Sequence, residues 1–245
     1  MTTAAARKAP KAPGQFRSFL RAVHPRQALA FAVVVGTLVA LTGRPAREVV
    51  VSAVAVLVAQ LIMGLVNDLL DADIDRASGA TGKPIADRII PPGNASFAIA
   101  VLLLLVIPLS LQNGTEAGMF LLSTLVVGFV HNRWLHRTAL SWVGWSATFA
   151  LLAYFVTLGG WGNQADGSQP LTSFVVLCAA LGVCVHFLTS LPDLVVDNQA
   201  RVRHLPLLVG LRLGAPKLMV VTIVATVLVV GAIVVTTAQA AAIAH

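Results

Sequence analysis

Hydrophobic positions along this 245-residue chain fall in long unbroken runs, not in the alternation of a half-buried strand. Seven runs approach the length that a lipid bilayer asks of a helix: roughly 27–43, 49–70, 95–112, 115–131, 139–160, 171–191 and 216–237. They are too long for barrel strands and lack a two-residue period, so the pattern predicts helices. The expected fold is all-α, a polytopic transmembrane helical bundle of about seven spans. Composition supports this, with 57% hydrophobic residues, 11% charged residues and a mean hydropathy of +0.85. A soluble domain cannot hide that much apolar surface.

The polar links between the runs set a direction. The formal charge is +7, but Lys and Arg sit in short inter-span segments, which excludes a nucleic-acid-binding face. Arg7, Lys8, Lys11, Arg17, Arg21 and Arg26 precede the first run; Arg76, Lys83 and Arg88 follow the second. Arg133 and Arg137 follow the fourth, and Arg201, Arg203, Arg212 and Lys217 the sixth. The alternate links hold only Arg44 and Arg47, so the positive-inside rule places the N-terminus and the basic links in the cytoplasm. A multi-pass protein of the cell membrane is expected. Residues 1–14 read as a disordered basic tail, and 15–245 as a single transmembrane domain. Phe16 to Arg26 read as a surface helix with Phe16, Phe19 and Leu20 toward lipid, or simply as the entry to the first span. No cleavable signal peptide is evident. Cys178 and Cys184, both inside the sixth run, suggest neither a disulfide framework nor a metal site.

Candidate chemistry gathers in two links of like sign. The second run ends in Asn67-Asp68-Leu-Leu-Asp71-Ala-Asp73-Ile-Asp75. Steps of four put Asn67, Asp71 and Asp75 on one helical stripe, oxygen donors suited to a hard cation such as Mg²⁺. The sixth run ends in Asp193-Leu-Val-Val-Asp197, another step of four. Either pair alone also fits a solvated turn or an interfacial cap. Two such clusters leaving equivalent ends of different apolar helices point to a functional site, because uncompensated carboxylates at that depth are costly.

These residues carry a resemblance. Asn67-Asp68-x-x-Asp71-x-x-x-Asp75 followed by Lys83-Pro84-Ile85 resembles the first signature of the UbiA-type intramembrane prenyltransferases. Asp193-x-x-x-Asp197, then Arg203-His204-Leu205-Pro206 and Gly210, is similar to their second. The likeness runs from about residue 20 to 235. It implies a bundle around a central cavity with cytoplasmic cap loops, in which Mg²⁺ held by both acidic motifs binds a prenyl diphosphate. It also implies an isoprenoid tail in an apolar chamber, and transfer to a lipophilic, aromatic acceptor. By position, Asn67, Asp71, Asp75, Asp193 and Asp197 become metal–diphosphate ligands, with Asp68 an accessory carboxylate. Catalysis is then expected to depend on Asp68, Asp71 and Asp193, while Lys83, Arg137 and Arg203 become diphosphate contacts.

Departures accompany the likeness. The family usually has nine spans, so either a homo-oligomer or a partner subunit completes the wall or the cavity is more open. Arg201 stands where Gly or Asp is usual, His204 where Thr is common, and Asn132 and His136 where the family has Tyr-x-x-x-Lys. Arg201 either neutralises Asp197 or adds a diphosphate contact. His131, His136 and His204 read as surface or hydrogen-bonding residues. His186 reads as a bond to a neighbouring helix or a substrate contact, and Trp142 and Trp145 as interfacial anchors or cavity walls for a cation. Competing functions are a terpene cyclase on the same scaffold, and a non-catalytic membrane subunit or cation transporter.

Overall fold

The computed structural model describes residues 15–77, 79, 81–160 and 169–243; the expected N-terminal tail, 1–14, and most of the outer loop with Asp166 lie outside them. Every hydrophobic run is a helix. In chain order they are α1 (Gln15–Ala22), α2 (Pro25–Leu41), α3 (Ala46–Leu70), α4 (Ala72–Ala77), α5 (Pro92–Leu111) and α6 (Thr115–Val130). After a π-helical turn (His131–Leu135) come α7 (Ser141–Leu158), α8 (Thr172–Ser190), α9 (Leu194–Gln199), α10 (Leu205–Leu213) and α11 (Ala215–Ile243).

Among the described residues, five helical stretches are long and apolar enough to cross a membrane: Ala46–Leu70, Pro92–Leu111, Ser141–Leu158, Thr172–Gln199 and Ala215–Gln239. At 1.5 Å per residue, the 17 residues of α2 and the 16 of α6 fall short of a hydrocarbon core about 30 Å thick. The expected number of spans therefore exceeds what helix length alone supports.

Prolines and glycines punctuate the chain. Pro25 and Pro92 occupy first-turn positions, where a missing N–H costs nothing. Between α5 and α6, Asn113 and Gly114 close a tight turn, with Gly114 at φ 99. The consecutive long helices α2, α3, α5, α6, α7, α8 and α11 each lie against the next, and α2 also touches α7.

The central core is built from Val35, Val39, Val56, Ala59, Ile62, Leu121 and Phe155, on α2, α3, α6 and α7. Lipid is as apolar as these side chains, so burial from water does not hold the helices together. Close backbone approach and interhelical hydrogen bonds do so instead. A Cβ on Gly182 of α8 would stand 2.4 Å from the Trp145 carbonyl oxygen of α7; one on Gly118 would stand 2.6 Å from that of Ser110. Far from the acidic links, Ser52 donates to Asn113 Oδ1 and the Asn113 carbonyl accepts from Gly160 N–H, while Arg44 donates to the Val156 carbonyl.

α1 departs from the expected lipid-facing arrangement. Ser18 and Ala22 are buried, and Phe19 packs on the cluster of Leu65, Ala72 and Ile85. Arg17, Leu20 and Arg21 are exposed, while the side chain of Phe16 lies outside the described residues. The helix thus turns Phe19 toward the bundle, because the end of α3 supplies an apolar floor.

Gly182→Val should force α7 and α8 apart and cost about 1–3 kcal/mol, the usual penalty of overpacking. A lower melting temperature of the purified protein in detergent, by fluorescence or scattering, is the expected readout.

Candidate active site at the acidic end of the bundle

Asp71 closes α3, and its backbone carries the helical pattern onward. Asp71 N–H donates to the Asn67 carbonyl at 3.0 Å, and Asp75 N–H to that of Asp71 at 2.8 Å. The expected stripe therefore survives the break between α3 and α4. The following loop folds back because Ile85 and Ile90 bury themselves beside Leu65 and Ala72. Turns anchored on Lys83 and Pro84 close it: Asp87 N–H donates to the Lys83 carbonyl at 2.8 Å, and Ile89 N–H to that of Pro84 at 3.0 Å.

That fold-back delivers Lys83 to α3. Its Nζ donates to Asp68 Oδ1 at 2.8 Å and lies 3.7 Å from Asp75 Oδ2. Asp68 is 2% exposed and also accepts from His24 Nε2 at 3.1 Å. One oxygen of Asp68 thus serves two side chains, His24 and Lys83. Burial opposes the Lys83 charge, but the bond to Asp68 and the fields of Asp68, Asp75 and Asp71 outweigh it and hold its ammonium above its ordinary value. Burial likewise pushes the Asp75 carboxyl up, against the pull of Lys83.

Asp71 faces Arg137, whose Nη2 donates to Oδ1 at 3.3 Å; His136 Nε2 stands 3.6 Å from the same oxygen. Arg137 Nε donates to His136 Nε2 at 2.9 Å, so the proton of a neutral His136 sits on Nδ1, which is buried without a partner. Arg137 also ties the two acidic links together, because its carbonyl accepts from Arg203 N–H at 3.2 Å.

The second link is held by Ser141. Its fully buried Oγ accepts from Leu205 N–H at 3.1 Å and lies 2.8 Å from His186 Nε2. His204 caps α10, accepting from Leu207 N–H at Nδ1, so its Nε2 is the donor to Asp197 Oδ2 at 2.8 Å. His204, not Arg201, partners Asp197; Arg201 is exposed at φ 56. Asp193 lies within the electrostatic reach of Asp197 and Lys83, so Lys83 bears on both acidic links.

Beneath this cluster lies a cavity of about 300 Å³, walled by α2, α3, α6, the π-helical turn, α7 and α8. Asn67 and His136 line it on the acidic side. Phe31, Met63 and Trp145 give it apolar walls, and its lining surface is mainly apolar, with Gln27, Gln60, Thr124 and Thr148 set among them.

The structure thus gathers Asp68, Asp71, Asp75, Lys83 and Arg137, with Asn67 on the cavity wall, while Asp193 makes no ion pair with Lys83. Asp197 is turned to His204, and the Arg203 side chain is exposed. Among the described residues, no three His, Cys, Asp or Glu side chains form a ready-made metal-holding group. The carboxylates are shared out among internal cations instead. Sequence reasoning missed His24 and Ser141. Only the His24-Pro25 step marks the first, and nothing local marks the second.

Comparison with known proteins follows the same lines. The model of the UbiA prenyltransferase family matches residues 28–244. A solved UbiA homolog from Archaeoglobus fulgidus bound to GPP and Mg²⁺ is 14% identical with a TM-score of 0.68, the match covering 88% of this chain and 76% of that one. The DMAPP- and Mg²⁺-bound homolog from the same organism is 15% identical with a TM-score of 0.66, covering 91% and 85%. A digeranylgeranylglyceryl phosphate synthase structure is 15% identical with a TM-score of 0.59, covering 89% and 76%. At these identities the likeness speaks for the fold. No curated protein matches the chain.

Two stability predictions follow from the charges. Lys83→Met strands the buried Asp68 carboxylate and should cost about 3 kcal/mol, whereas Arg76→Met, at an exposed pair with Asp73, should cost under about 1 kcal/mol. Detergent melting curves of both variants compare them. Asp75 has a folded pKa above its ordinary 3.8, so its ionisation destabilises the folded state as pH rises from about 3.8 through that raised value. Asp75→Asn should therefore melt higher than the parent at neutral pH in chelator, and the gap should close at acid pH.

Proposed function

We propose that the chain, which belongs to the UbiA prenyltransferase family, is a Mg²⁺-dependent intramembrane prenyltransferase that moves an isoprenyl group from its diphosphate to a lipophilic aromatic acceptor. A multi-pass membrane protein with an all-helical bundle suits that reaction. The observation that carries the reading is the meeting of both acidic links at Arg137, whose guanidinium pairs with Asp71 and whose carbonyl accepts from Arg203 N–H, at the head of a cavity inside the bundle.

The donor set fits the metal by its chemistry. Asp71, Asp75, Asp193, Asp197 and Asn67 offer hard oxygens, and Mg²⁺ usually keeps several waters while sharing one or two carboxylates with substrate phosphates. A tight all-protein cage is therefore not required. Solved family members that hold GPP or DMAPP together with Mg²⁺ support the assignment. When bound, Mg²⁺ supplies charge stabilisation on the departing diphosphate.

The chain's own residues do the rest. Asp71, Asp75 and Asp193 are the proposed acidic ligands on which turnover depends, with Asn67 and Asp197 beside them. Asp68 holds Lys83 in place from beneath. Lys83 and Arg137, already poised among carboxylates, turn to the incoming diphosphate, and the exposed Arg203 adds a third cation. Phe31 and Trp145 present π faces to the allylic cation left behind, while the helix walls keep bulk water from it. The positive bias of the links supports a cytoplasmic location for this end of the bundle and for the N-terminus.

Purified protein with Mg²⁺ and farnesyl or geranylgeranyl diphosphate should release diphosphate. Chelation, Asp71→Ala and Asp193→Ala should each reduce release by at least about a hundredfold, since losing even a residue that only orients a metal ligand costs up to about that much. Unchanged turnover in both variants would refute the assignment. Mass spectrometry of the lipid products separates transfer to an acceptor from cyclisation.

A further inference from the structure

The cavity wall carries information about the acceptor that the acidic signatures do not. Among the described residues, its lining includes no Lys, Arg, Asp or Glu, yet it presents Gln27, Gln60, Thr124, Asn132 and Thr148. Two cations of the acidic site are already committed. Lys83 is held by Asp68 and Asp75, and Arg137 by Asp71. His24, which does line the cavity, gives its Nε2 to Asp68. A carboxylate or phosphate carried by an acceptor into this space would find hydrogen-bond donors but no free counter-charge, and burying it would be costly. An uncharged hydroxylated ring meets both needs, with Phe31 and Trp145 for its faces and amide and hydroxyl groups for its edge.

One histidine stands apart. Four imidazoles run through this region, with ring centroids 6.3 Å apart for His131 and His136, 6.2 Å for His131 and His186, and 6.3 Å for His186 and His204. His186 is tied to Ser141, His204 to Asp197 and Leu207, and His136 to Arg137 and Asp71. Among the described residues, His131 alone of the four has no hydrogen-bond partner at either ring nitrogen. Its Nδ1 is buried where it packs on Gly144 of α7. His131 itself lines the cavity. A purely structural histidine in a membrane bundle normally bonds a neighbouring helix, as His186 does; His131 does not.

We infer that the acceptor is an uncharged aromatic hydroxyl compound, and that His131 Nε2 receives its proton as the prenyl group is transferred. The inference rests on the prenyltransferase reading above. The bond between prenyl C1 and the diphosphate oxygen breaks, and its electron pair leaves with the diphosphate. A new bond forms between C1 and the acceptor, whose displaced proton passes to His131 and on to solvent. Trp145, stacked on His186 at 5.7 Å, holds the other wall of that subsite.

Purified protein with Mg²⁺ and geranylgeranyl diphosphate is offered hydroquinone and 1,4-naphthalenediol beside their ring-carboxylated counterparts. The uncharged pair should be prenylated, with kcat/KM exceeding that of the carboxylated pair by on the order of a hundredfold or more. His131→Phe should lower kcat for the uncharged acceptors by about a hundredfold. His131→Gln, which keeps a hydrogen-bonding group but not a base, should restore KM more than kcat; melting temperatures report that both variants fold. Equal or better use of the carboxylated acceptors, or undiminished kcat in His131→Phe, overturns the inference. Diphosphate release without prenylation of either uncharged acceptor overturns it as well, and leaves the prenyltransferase reading standing. Absence of Mg²⁺-dependent diphosphate release in every arm overturns both.

Discussion

A carboxylate at the end of an apolar helix needs a partner, and much of this architecture answers that need at Asp68. The residue is 2% exposed, so its charge is tolerated only because Lys83 and His24 converge on one oxygen. Lys83 arrives on the loop after α4, and His24 from the turn between α1 and α2. One buried charge thereby fixes two peripheral segments against α3. Ile85 and Ile90 reinforce the same fold-back by burial beside Leu65. The cost of leaving Asp68 bare is what makes the loop adopt this position.

The second acidic link is secured by neutral hydrogen bonds instead. Ser141, at the start of α7, receives Leu205 N–H and meets His186 of α8, so three elements depend on one hydroxyl. Arg137, four residues earlier, bonds Asp71 with its side chain and the backbone of Arg203 with its carbonyl. The 137–141 segment is therefore the bridge between the two acidic motifs. A metal or diphosphate entering here would meet groups that already compensate one another, and would have to exchange partners with them.

Membrane helices that are apolar all round give little indication of which face turns inward. The interior of this bundle differs from its lipid face in polarity: Val224, Val227 and Leu228 of α11 are exposed, whereas the cavity between α2, α3, α6 and α7 collects amides, hydroxyls and imidazoles. Desolvated polar groups are tolerated there because they line a space large enough for water or a ligand.

The positions of the long helices, the links that carry chemistry and the spacing of Asn67, Asp71 and Asp75 were all legible in the residues. Apolar run length and the step of four are local properties that survive any packing, even the break at Asp71. The signatures around Asp71 and Asp193 also carried the family likeness. Other features were not legible. Lys83 binding Asp68, Phe19 turning from lipid to the bundle, His204 rather than Arg201 meeting Asp197, and the roles of His24 and Ser141 each depend on which helix faces meet. Those contacts join residues as far as 15, 44 and 64 positions apart, and close approach at residues such as Gly182 helps decide them. Periodicity reports that a side chain lies on a helix; only the crossing of that helix with another decides what it touches, because a hydrogen bond or ion pair acts over about three ångströms and has no local signature along the chain.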